Sequence, residues 1–218
     1  MGKRRLEDAI KQIDHPIEVT YRCYQLDPTM GRDIKENMYE VLSKKYGMSI
    51  DQAKVTTGNM VQMAKEAGLD YQIDTLILTN TFDAHRLTMF AKKKGLMQEM
   101  TERILRAYFT ESKHIGDHQT LTELAVEIGL DREEVGNMLA SDEMADAVRS
   151  DEQLARQYGV TAVPFFLINK KYALTGAQPI EVFVQALEKI IAEDKIVVLN
   201  TQDGLKCDDE GCEIPKKS

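Results

Sequence analysis

Cysteine is scarce in this chain: three residues in 218. Three cysteines cannot build a disulfide-stapled scaffold, and a reducing cytoplasm is the compartment such usage implies. No uninterrupted apolar run approaches the roughly 20 residues of a membrane span. The opening Met1–Asp8 segment is basic, but no apolar core follows it, so it is not a secretory signal. A surplus of positive charge is also lacking. Lys and Arg number 28 against 36 Asp and Glu, a net charge of -8, which argues against a general nucleic-acid binder. No fixed-period repeat occurs, which excludes a solenoid. What remains is ordinary: 43% hydrophobic and 29% charged residues, enough for one large domain or two small ones with a sizeable core.

The pattern along the chain changes twice. Leu6, Ala9, Ile10 and Ile13 fall at helical spacing and predict a helix over 3–13, although Lys3, Arg4 and Arg5 sit where the helix dipole disfavours cations. Ile17 to Tyr24 alternates apolar and polar residues and predicts a strand that ends at the Asp27-Pro28 turn. From Gly31 to Gly159 the pattern is almost wholly helical. Helix starts are signalled by Ser49 with Gln52, by Asn80 or Thr81, by Asp131 with Glu134 and by Ser141, and helix ends by Gly47 and Gly159. The apolar run Val160–Ile168 predicts a buried strand, Asn169-Lys170-Lys171 a turn, and Tyr172–Thr175 the return strand of a hairpin. Pro179 opens a final helix whose apolar face is Val182, Phe183, Ala186, Leu187 and Ile190. Two separated pieces of an α/β sheet, with helices inserted between them, is the economical architecture.

The stretch Gly159-Val160-Thr161-Ala162-Val163-Pro164-Phe165-Phe166 is similar to the cis-proline loop of thioredoxin-fold proteins. Taken with Gly2-Lys3-Arg4-Arg5-Leu6-Glu7, Leu26-Asp27-Pro28, Asn80-Thr81-Phe82-Asp83-Ala84-His85-Arg86-Leu87 and Thr175-Gly176-Ala177-Gln178, it resembles the DsbA family. The branch it resembles is the FrnE-like one, related to 2-hydroxychromene-2-carboxylate isomerases. The resemblance runs through nearly the whole chain in order. It implies an α/β, thioredoxin-like fold with a large all-helical insertion. Residues 1–28 and 159–200 would form a discontinuous core, 29–158 the insertion and 201–218 an acidic, cysteine-containing tail. It further implies thiol–disulfide exchange on protein or peptide thiols and disulfides, with glutathione as an additional partner. No cofactor, metal, nucleic acid or membrane enters.

Members of that family carry a Cys-x-x-Cys pair between the first strand and the first helix. Here Gly2–Arg5 matches the residues just after that pair, so the first strand and both cysteines are expected ahead of Met1. The sequence itself holds no Cys-x-x-Cys. The loss is chemical, because in such proteins the helix N-terminus stabilises a thiolate that attacks the substrate disulfide. The missing strand also lies between Ile17–Tyr24 and Pro164–Ile168, and each orphaned backbone group there costs about 1–3 kcal/mol. A weakened or inactive thiol–disulfide oxidoreductase is therefore expected. Two alternatives accompany it: a non-redox module that holds extended peptides in the proline groove, and a glutathione-dependent isomerase or transferase of small aromatic substrates.

Five residues are candidates for a site. The resemblance implies a cis Val163–Pro164 bond that turns the Val163 backbone toward an extended substrate, a form of strand addition. His85 belongs to the matched Asn80–Leu87 segment and either faces the groove or is satisfied within its helix. Cys207 and Cys212 are the only closely spaced thiols. Gly211 favours a turn between them, while three intervening acids disfavour a thiolate, so an auxiliary reversible disulfide and a plain acidic tail both remain open. Cys23 is a small core hydrophobe in mid-strand. His114 and His118 have metal-ligand spacing, but Gly116 and Asp117 favour a loop. The eleven methionines are core filler, and Lys92-Lys93-Lys94 is a solvated helix end.

Overall fold

The structure, a computed structural model, describes residues 1–193 together with the two-residue strands Cys207–Asp208 and Gly211–Cys212. The expected segment 194–200 and the remainder of the 201–218 tail lie outside the described residues. Helix α1 spans Gly2–Ile10, and α2 to α8 follow as Met38–Tyr46, Ile50–Glu66, Phe82–Lys93, Met97–Phe109, His118–Glu127, Arg132–Ala140 and Ala145–Gln157. The hairpin β1 (Phe165–Ile168) and β2 (Tyr172–Thr175) precedes α9 (Ile180–Glu193), and the short pair β3 (Cys207–Asp208) and β4 (Gly211–Cys212) comes last.

Local chemistry accounts for most helix limits. Asn37 and Ser49 each complete a reciprocal capping box, with Glu40 and Gln52, and Asp117 and Asp131 accept the N–H of Thr120 and Glu134. Gly47 and Gly159 take left-handed backbone (φ 66 and 68) just past α2 and α8, where a Cβ would be strained. Ser141 behaves differently from its predicted role. Its hydroxyl donates to the Met138 carbonyl and accepts the Glu143 N–H, which closes α7, and α8 starts only at Ala145 behind Met144 at φ 67. The helix predicted over 3–13 ends at Ile10.

The predicted Ile17–Tyr24 strand does not form. Burial alternates only near its end, at Tyr21 and Cys23, while Val19 is exposed, and among the described residues no strand lies beside it to complete a ladder. Side chains take over part of that role. Asp151 accepts the Cys23 N–H at 2.9 Å, and the Tyr24 hydroxyl donates to the Val160 carbonyl at 3.4 Å. Only the second half of the Val160–Ile168 run is strand. Phe165 pairs with Thr175 and Ile168 with Tyr172, and the turn uses positive φ at both Asn169 and Lys170, the backbone that matches hairpin twist.

The main core belongs to the helices: Leu87, Phe90, Met100, Leu121, Leu124, Val135 and Met138 form one buried cluster. A smaller layer packs α1 on α9, where Phe183 is fully buried and meets the Phe166 ring edge-to-face at 4.8 Å. The helical layer is tied together by Arg86, only 5% exposed. Its guanidinium donates to the carbonyls of Met138 at 2.6 Å, of Glu143 at 2.9 Å and of Ser141, and to Asp83 Oδ1 at 2.7 Å. Arg86→Met keeps much of the volume and removes every donor. We expect a loss of about 3 kcal/mol, by analogy with breaking a buried ion pair, read as a lower urea midpoint at unchanged slope.

Candidate functional site

The Val163–Pro164 peptide bond is cis, and the loop that carries it abuts the start of α1. A Cβ at Gly2 would lie 2.7 Å from Pro164 Cγ and 3.1 Å from Phe166 Cζ, so only glycine lets the helix come this close. Pro164 presents its carbonyl to the Gly176 N–H at 2.8 Å. That bond ties the cis-proline loop to the end of β2. Val163 is 41% exposed. No side chain caps the N-terminus of α1, which leaves first-turn N–H groups available next to the proline loop.

Ion pairs hold α1 in this position. Lys3 reaches Glu7 at 2.7 Å and Glu102 on α5 at 2.6 Å, and Arg4 reaches Glu102 at 2.8 Å. Burial opposes ionisation of Glu102, but the two cations outweigh it and hold its carboxyl below the usual range. Arg5 donates to the Ala177 carbonyl ahead of α9. Beside the same helix end, the Tyr71 ring stacks on Phe109 at 4.6 Å, and the Tyr71 hydroxyl accepts from the Met1 amine at 3.3 Å. The basic cluster that looked misplaced on α1 therefore has an acidic partner contributed from outside the helix. Glu102, Tyr71 and Phe109 carried no signal of their own in the sequence, because each works through a contact distant along the chain, from Phe109 on Tyr71 to Glu102 on Lys3.

The other candidates are distributed elsewhere. His85 sits behind residues 22–25. It hydrogen-bonds the Tyr24 backbone, its own carbonyl lies 3.7 Å from the Cys23 sulfur, and the Asp151 charge is felt there. Among the described residues no hydrogen bond joins it to Val163 or Pro164. Burial drops its pKa to about 4, leaving it neutral near pH 7. Cys23 is buried and free, and burial with the Asp151 charge pushes its thiol up to about 12, which makes it inert. His118 faces Asp83 at 2.7 Å and His114 faces Asp33 at 3.4 Å, so the two do not converge on one point. Among the described residues no cluster of metal-ligating side chains occurs. Cys207 and Cys212 stand directly opposite one another in the β3–β4 register.

A helix start packed on a cis-proline loop, a β-hairpin behind it and a helical layer inserted before it define a thioredoxin-type architecture. The chain belongs to the DSBA-like thioredoxin domain family, whose model matches residues 1–188. It is similar to a probable DsbA oxidoreductase of Streptomyces coelicolor, with 37% identity over 99% of this chain and 93% of that one and a TM-score of 0.86. It is 27% identical over 199 residues to YwbO, an uncharacterized protein of Bacillus subtilis (strain 168), covering 86% of this chain and 88% of that protein. The cytosolic disulfide reductase DsbM of Pseudomonas aeruginosa shares the fold at 17% identity and a TM-score of 0.55, over 88% of this chain and 92% of that one.

Two measurements check this geometry. Cys23 should stay unmodified by iodoacetamide at pH 8 in the folded protein and react fully once unfolded, as read by peptide mapping. His85 predicts an acid limb. Its folded pKa lies below the ordinary 6.5, so the unfolded chain binds the proton first, and stability is lost as pH falls from about 6.5 toward 4. His85→Asn should flatten that limb in urea titrations. The loss below about pH 4.5, where Glu102 and Asp83 also hold depressed pKa values, should remain.

Proposed function

We propose that this chain acts as a thiol–disulfide oxidoreductase of the FrnE-like kind, with weak exchange activity, in the cytoplasm. The observation that carries the reading is the close contact of Gly2 with Pro164 beside the exposed Val163. This contact leaves one strand-like backbone position free for an extended polypeptide next to a positively polarised helix end. In this reading residues 1–28 and 159–200 form the thioredoxin-like core, 29–158 the insertion and 201–218 the redox tail. Protein or peptide disulfides are the substrates, and glutathione is the small-thiol partner.

Because the sequence contains no Cys-x-x-Cys, the exchange falls to Cys207 and Cys212. Their opposed register supports this reading, since it sets the two cysteine positions directly across from one another in the antiparallel pair. The thiolate of one attacks the substrate disulfide and expels one substrate thiol. The second thiolate then attacks the mixed disulfide and expels the other. The pair ends oxidised and the substrate reduced by two electrons. The acidic sequence between them, Asp208, Asp209 and Glu210, disfavours a thiolate and slows the first step.

Peptide holding without redox chemistry is a second reading, favoured by the inert, buried state of Cys23. Insulin reduction with dithiothreitol as the electron source tests the first. Slow turbidity growth that disappears in Cys207→Ser and Cys212→Ser supports it, and robust reduction surviving both changes refutes it. Retained binding of unfolded, reduced polypeptide by the double serine variant, with no reduction in either form, would instead establish peptide holding.

A further inference from the structure

Helix α3 is the longest among the described residues, and one side of it is left open. Its buried positions, Ala53, Thr57 and Ala64, share one face. Among the helices it packs chiefly on α2, which buries no residue of its own. The opposite side carries Asp51, Val55, Gly58, Gln62 and Lys65, all exposed. Spacings of four, three, four and three residues set these five in one row along the helix. Val55 is 66% exposed, the highest value for a large hydrophobic side chain among the described residues.

This row is self-complementary. Asp51 lies in the first turn and Lys65 in the last, where each suits the helix dipole, and neither has an ion-pair partner among the described residues. They stand about 21 Å apart along the axis, with Gly58 midway between them. A second α3 laid antiparallel about Gly58 sets each Asp51 against the Lys65 of the other copy, whereas a parallel one opposes acid to acid. Gly58 itself is open: a Cβ there would meet nothing within 4 Å, and its backbone is not left-handed. No contact within the chain calls for glycine at this exposed helix position, where alanine is the better helix former. A second helix crossing at Gly58 gives the glycine a use, because the missing side chain lets two backbones approach.

We propose that this face of α3 is a contact between two copies of the chain, antiparallel and related by a two-fold axis at Gly58. Across it, Val55 of each copy packs on Gly58 and the stem of Gln62 of the other, and Asp51 pairs with Lys65 at both ends. A single pair of crossed helices buries less than the roughly 1,200 Å² of a standard interface, so the dimer is weak and fills only as protein concentration rises. The contact uses none of Gly2, Val163, Pro164, Cys207 and Cys212 and is independent of the exchange chemistry proposed above.

Sedimentation velocity of the full chain from micromolar to millimolar concentration tests this. The unmodified protein should shift toward dimer across that range, and less so as salt rises, because the end pairs are exposed. Asp51→Lys alone and Lys65→Glu alone should each weaken dimerisation about tenfold, since two attractions become two repulsions. The two variants mixed should pair with each other, because every end contact then joins opposite charges. Gly58→Leu should abolish the dimer while circular dichroism shows helix content retained. A chain that stays monomeric at millimolar concentration would overturn the proposal. So would a dimer indifferent to Gly58→Leu, or single variants that fail to recover on mixing. The salt series on the unmodified chain stands even if a variant misfolds, and a dimer strengthened by salt would refute the end pairs.

Discussion

The interaction on which the helical layer depends is the burial of one guanidinium. Arg86 takes up the carbonyls at the end of α7 and at the approach to α8, and it anchors Asp83, which also engages His118 at the start of α6. Four helices are thereby referred to a single planar group, whose fork geometry a lysine lacks. At the neighbouring position of α4, His85 packs with Cys23 where Asp151 of α8 accepts the Cys23 N–H. The same segment of α4 therefore positions residues 22–25 and, through the Tyr24 hydroxyl, the loop that leads to Pro164.

The helix that meets Pro164 is placed from three directions. Glu102 draws its basic first turn onto α5, Arg5 binds the turn before α9, and the absence of a Cβ at Gly2 permits contact with the proline ring. Three cations at a positive helix end are unfavourable when α1 is considered alone. They become favourable once a carboxylate from another element lies within 3 Å. The electrostatics of this end of the molecule is thus a tertiary property.

How much of this was legible in the sequence follows from the range of each interaction. Capping boxes at Asn37 and Ser49, the left-handed glycines and the two-residue turn at Asn169 and Lys170 rest on residues at most five apart, and the helices they bound were foreseeable, with the exception of Ser141. That residue carries N-cap chemistry but spends it on the preceding helix. The Ile17–Tyr24 alternation was also plain, yet a strand is defined by its neighbour, and alternation supplies no neighbour. At the site, Gly2, Val163 and Pro164 were legible through the family pattern they share. Glu102, Tyr71 and Asp151 were not, because a lone carboxylate on an amphipathic helix, or a phenol in a loop, looks the same whether or not it is paired.

The chain leaves its first layer near Tyr24 and comes back at Val160, and the hydroxyl-to-carbonyl bond between them closes an excursion of 136 residues. Closing so large a ring costs conformational entropy, but the cost rises only with the logarithm of its length, about 0.6 kcal/mol for each doubling. Once the two ends are pinned, helices added to or removed from the excursion scarcely alter that entropic term. The size of the helical layer is consequently set by its own packing, and the remainder of the fold is nearly indifferent to it.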